Sequence, residues 1–74
     1  MEKNDKIIWD SGFGYDLGYY VGVDFCQPDN LQCEMVTGVV QKLNSYYKSE
    51  IIPYTEEQHK IVNKKYPMFN YKKF

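Results

Sequence analysis

One histidine, two cysteines and two aspartates that a strand pairing would bring face to face are the side chains that could carry chemistry here, and their spacing supports little of it. His59 stands between Gln58 and Lys60 on a stretch that reads as an exposed helix, with no second titratable group placed to make it a general acid or base. It is expected to be a solvated surface imidazole. Cys26, Cys33 and one distant histidine cannot complete a four-ligand zinc site within the chain. Gly12-x-Gly14-x-x-x-Gly18 is unlike a dinucleotide fingerprint in spacing, and no helix follows it to offer its N-terminus to a phosphate. Neither a Gly-x-Ser-x-Gly elbow nor a P-loop occurs. This inventory argues against an enzyme and implies no cofactor and no metal.

The elements that would position these groups begin with a run of alternating residues from Ile7 to Phe25. Its odd positions are mostly apolar (Ile7, Trp9, Phe13, Tyr15, Leu17, Tyr19, Val21, Val23, Phe25), and its even positions are rich in Gly and Asp. A period of two places one face on a core and the other outside. A three-residue loop, Asp16-Leu17-Gly18, with glycine at the left-handed position, predicts a hairpin over residues 7–25. Trp9 then faces Phe25, Ser11 faces Val23, Phe13 faces Val21 and Tyr15 faces Tyr19. On the outer face Gly12 meets Gly22, and Asp10 meets Asp24. These two carboxylates are expected to splay into solvent, where an exposed pair costs little, and as a metal site they would hold Mg²⁺ only weakly, through several waters.

Downstream, Asp29 or Asn30 can cap a helix whose apolar stripe would be Met35, Val36, Val39, Val40, Leu43, Tyr46 and Tyr47. Lys48-Ser49-Glu50 ends it. Ile51-Ile52-Pro53-Tyr54 is a short extended run that Pro53 confines to a sheet edge. Thr55 to Gln58 is a capping box, predicting a shorter helix from Glu56 to about Lys65, with Ile61 and Val62 as its apolar contacts and Pro67 as its stop. The expected fold class is α+β. An N-terminal antiparallel β-hairpin packs on one main α-helix, with a shorter C-terminal helix, in one domain spanning residues 1–74. Residues 67–74 form either a third strand or a tail that is flexible or ordered by a partner.

Near-neutral net charge conceals an asymmetry. Residues 1–37 carry seven acids and two Lys, whereas residues 38–74 carry seven Lys and three acids, and there is no Arg. The chain has eight Tyr and four Phe, side chains that recur at protein interfaces. Its all-Lys, Tyr- and Asn-rich usage is that of an AT-rich genome, as in low-GC bacteria, their phages and mobile elements. No secretory segment or membrane-length apolar run is visible, so a cytoplasmic location and reduced thiols are expected.

Two binding roles follow. In the first, the outer hairpin face and turn bind a host protein with a basic groove through Asp10, Asp16, Leu17, Tyr20, Gly22 and Asp24. The chain would then be a small accessory protein, encoded by a phage or mobile element, that inhibits or redirects a host factor such as a nuclease or defence complex. In the second, Lys60, Lys64, Lys65, Tyr71, Lys72 and Lys73 contact nucleic acid, with Lys on phosphates and aromatic rings on unpaired bases. The absence of Arg and the acidic first half favour the protein partner.

Overall fold

The computed structural model describes residues 2–23, 26, 30–38, 40–43, 50–70 and 72–74. The chain is α+β. Its strands are β1 (Lys6–Asp10), β2 (Tyr15–Val23), β3 (Leu31–Met35), β4 (Val40–Leu43) and β5 (Glu50–Pro53). Helix α1 (Glu56–Lys65) and a 3-10 turn at Pro67–Phe69 follow. The strands form one antiparallel sheet in the order β4-β3-β2-β1-β5, so β1 lies between its sequence neighbour and the last strand.

The first hairpin exists, but its turn lies earlier than alternation alone predicts. β1 and β2 are joined by Ser11-Gly12-Phe13-Gly14, not by Asp16-Leu17-Gly18. Ile8 faces Leu17, Trp9 faces Asp16 and Asp10 faces Tyr15, so odd positions meet even ones. Tyr15 and Tyr19 lie on the same strand, and Ser11, Gly12 and Phe13 lie in the turn. Asp24 and Phe25 lie outside the described residues, and Trp9 faces Ile51 on its other side. The physical reason is that both faces of this sheet are covered. Adjacent Ile7 and Ile8 point to opposite faces, and both are wholly buried. A pairing chosen to keep one apolar face continuous therefore answers to the wrong constraint.

The main helix expected after Asn30 is not formed: Leu31–Met35 and Val40–Leu43 pair as the antiparallel strands β3 and β4. Leu31, Cys33 and Met35 alternate with Gln32 and Glu34, and Cys33 and Met35 are buried. Gly38 takes φ +87° in the turn, where a side chain would be strained, and its N–H bonds the Met35 carbonyl. Val36, placed on the helical stripe, is exposed. Asp29, Val39, Tyr46 and Tyr47 lie outside the described residues.

Two apolar clusters result. Ile7, Cys33 and Met35 form one, with Trp9, Tyr20, Leu31 and Ile51 against them. Ile8, Tyr15, Leu17 and Val62 form the other, flanked by Ile52, Tyr54, Tyr66 and Phe69. Helix α1 covers the second cluster. Thr55 Oγ1 accepts from the Gln58 N–H at 3.0 Å, with acids in the first turn and Lys64 and Lys65 in the last, as the helix dipole favours. Val62 is the helix residue that is buried, whereas Ile61 is half-exposed. β5 lies at an edge of the sheet with Pro53 as its last residue, as the sequence predicts. The segment after Pro67 begins as a 3-10 turn rather than a third strand. Phe74 packs on Tyr19 and Tyr54 with the Lys6 ammonium above its ring.

Candidate functional site

The turn at Ser11–Gly14 is held from three directions. Asp10 Oδ1 accepts from the Gly12 N–H at 2.9 Å, and the Ser11 N–H and hydroxyl both donate to the Gly14 carbonyl, at 2.9 and 3.1 Å. Gly12 takes φ +85°, which favours glycine. Gly14 is required for a different reason: a Cβ there would lie 2.7 Å from the Phe69 ring. Between these glycines Phe13 stands 92% exposed.

Beneath the turn, Asp10 is buried rather than splayed into solvent. Its Oδ1 also accepts from the Tyr66 hydroxyl at 2.6 Å, and its Oδ2 holds Lys65 Nζ at 2.9 Å. The Asp10 side chain is 6% exposed and that of Lys65 55%. Burial pushes the Asp10 carboxyl up, but the Tyr66, Lys65 and Gly12 hydrogen bonds and the Lys65 charge outweigh it, leaving the group below its ordinary value. Lys65 and Tyr66 are each held above theirs, chiefly by the hydrogen bond to Asp10.

The C-terminal segment is pinned to the same end of the sheet. The Tyr15 hydroxyl meets the Asn63 side chain and donates to the Phe69 carbonyl at 2.7 Å. Lys72 Nζ lies 3.4 Å from Asp16 Oδ1 and 5.1 Å from the Phe69 ring centre. Between turn and segment opens a cleft of about 220 Å³ lined by Trp9, Phe13, Phe69 and Lys72 among others. That is below the size of an ordinary small-molecule pocket and suits a single side chain. Met68, next to Phe69, is 78% exposed.

Of the described residues expected to form an acidic binding face, Asp10 and Leu17 are turned inward. Asp10 is buried against Lys65, Asp16 is paired with Lys72, and Leu17 is wholly buried in the core. Leu17 is therefore no exposed anchor. Tyr20 packs against the Ile7 cluster, Gly22 borders open space, and Asp24 lies outside the described residues. Of the basic set, Lys60, Lys64 and Lys73 are exposed, Lys65 and Lys72 are engaged with acids, and Tyr71 lies outside the described residues. The acidic first half and basic second half thus meet each other at these two pairs.

His59 is not a solvated surface group. Its Nδ1 lies 3.0 Å from the Tyr54 hydroxyl, its ring meets Tyr15 and Tyr54, and its Nε2 is enclosed without a hydrogen-bond partner. Cys26 is exposed and Cys33 buried, and they are not bridged. Among the described residues no helix is long and apolar enough to cross a membrane, and no three His, Cys, Asp or Glu side chains are grouped to hold a metal. The exposure of Phe13 and Met68 does not follow from the alternation or from the predicted elements. An aromatic residue between two glycines, Gly12-Phe13-Gly14, was the available signal.

No family model matches the chain, and neither the curated proteins nor the solved structures contain a match to it.

Proposed function

We propose that this chain is a small, non-enzymatic accessory protein that binds another protein through the Ser11–Gly14 turn and the neighbouring Pro67–Phe69 turn. One observation carries the reading: a nearly fully exposed phenylalanine on a turn fixed by the Asp10–Gly12 and Ser11–Gly14 hydrogen bonds and by two glycines that cannot be replaced without strain. Exposed aromatic side chains on a fixed backbone lose little entropy on binding, and such residues dominate interface energetics. The biological setting proposed is a host cytoplasm, with a phage or mobile element as the source and a host nuclease or defence complex inhibited or redirected. The AT-rich residue usage supports that setting.

The test is affinity capture from a low-GC bacterial lysate with the wild-type chain and with Phe13→Ala, after thermal melts show both folded. A protein retained by the wild type and lost with Phe13→Ala supports the reading. Equal retention by both, with loss on changing Lys60 and Lys64 instead, moves the site to the outer face of α1.

A further inference from the structure

We infer that Lys6, Tyr19 and Tyr54 form a receptor for an aromatic side chain of a partner protein, and that Phe74 fills it from within the chain as a latch. The receptor lies at the end of the β1–β2 ladder opposite the Ser11–Gly14 turn and owes nothing to Phe13. Lys6 opens β1 and faces Tyr19 of β2, and Tyr54 follows β5. Their positions are set by the sheet rather than by Phe74. The Tyr54 N–H donates to the Lys6 carbonyl at 2.9 Å, and its hydroxyl lies 3.0 Å from Nδ1 of His59, whose ring also meets Tyr15.

The contacts select a ring. Phe74 and Tyr54 meet edge to face at 4.8 Å and 82°, Tyr19 lies 5.2 Å away, and Lys6 Nζ stands 5.0 Å from the Phe74 ring centre. Edge-to-face packing and cation–π attraction both need a π-system, which an aliphatic side chain lacks. The occupant is held more lightly than the receptor. Among the described residues Lys72–Phe74 joins no strand, its backbone hydrogen bond runs back to the Phe69 carbonyl, and Phe74 remains 37% exposed. Lys6 and Tyr54 also border an open cleft of about 350 Å³, with Asn4, Asp5 and Pro53, which gives room to the residues flanking a partner's ring. Because Phe74 is tethered, a partner's ring displaces it only when the segment carrying that ring makes further contacts.

The experiment titrates an acetylated, amidated tripeptide Lys-Lys-Phe, the sequence of residues 72–74, into the full chain carrying Phe74→Ala. Amide NMR signals of Lys6, Tyr19 and Tyr54 are followed, with Lys-Lys-Leu as the control for charge and apolarity. The Phe peptide should shift these signals with a Kd on the order of millimolar, at least about threefold tighter than the Leu peptide. In the wild type the tethered Phe74 competes, so the same peptide should bind at least about threefold more weakly than to Phe74→Ala. Phe74→Leu keeps an apolar side chain at the tail without the ring and is titrated in parallel, so the comparison stands should Phe74→Ala unfold. Equal binding of the two peptides would overturn the selection of a ring. Equal affinity of the wild type and the variants would overturn the latch. Absence of any shift up to about 10 mM peptide would overturn the receptor itself, leaving Phe74 as packing alone.

Discussion

Removing the carboxylate of Asp10 tests the central joint of the molecule. Asp10 Oδ1 serves the Gly12 N–H and the Tyr66 hydroxyl, and Oδ2 serves Lys65. In Asp10→Asn the amide oxygen can keep the first two contacts, and only the Lys65 pair is lost. Because that ammonium is half in water, the loss should be about 1 kcal/mol. Asp10→Ala also leaves the Gly12 and Tyr66 donors without an acceptor, and the cost rises to about 2–4 kcal/mol. A domain of this length has a total stability of roughly 4–11 kcal/mol, so the alanine variant should be visibly less stable. The carboxyl is held below its unfolded value, so its contribution is complete above about pH 4 and fades as the pH falls through the lower folded value. The wild type should therefore lose stability at acid pH that Asp10→Asn has already forfeited. Urea unfolding, followed by circular dichroism and by the fluorescence of neighbouring Trp9, measures both effects. An Asp10→Ala protein within about 0.5 kcal/mol of wild type would refute the reasoning. So would an acid limb equally steep in Asp10→Asn.

Leu17→Ala should cost about 2–5 kcal/mol by urea titration, because its side chain is wholly buried in the cluster with Ile8, Tyr15 and Val62. In thermal melts Gly14→Ala and Gly18→Ala should each lose about 1–3 kcal/mol, since the new methyl meets the Phe69 ring or the Met35 sulfur and Glu34 carbonyl. Gly22→Ala, facing open space, should stay within about 0.5 kcal/mol of wild type. A thiol reagent on the native chain should label Cys26 promptly, and Cys33 only with denaturant, because burial both hides the Cys33 thiol and pushes it up in pKa.

Local signals proved legible in the sequence, and distant ones did not. Thr55 with Gln58, and Pro67 beyond Lys65, mark the ends of α1 within a residue or so, because capping is decided by neighbours. The edge placement of Ile51–Pro53 follows equally locally from a missing N–H. The β3–β4 hairpin is ambiguous in the sequence because Met35, Val36, Val40 and Leu43 satisfy a helical spacing, while Cys33 and Met35 also satisfy a strand's. Gly38 was the arbitrating turn residue. The burial of Asp10 and Leu17 could not be seen from the alternation, since it depends on Lys65, Tyr66 and Val62, which arrive some fifty residues later.

The position of β1 between β2 and β5 has a consequence for how the chain assembles. Pairing with β2 closes only the four residues of the Ser11–Gly14 turn, whereas pairing with β5 closes the 39 residues from 11 to 49. The longer closure carries an extra entropic cost of about 2 kcal/mol, and the β1–β5 contacts must form before they offset it. During synthesis the outer edge of β1 is thus left open, beside the wholly apolar Ile7 and Ile8, until Glu50–Pro53 has emerged. Over that interval the chain is most exposed to pairing with a neighbouring copy, and a rapid first hairpin followed by a slower docking of β5 and α1 is the order its topology imposes.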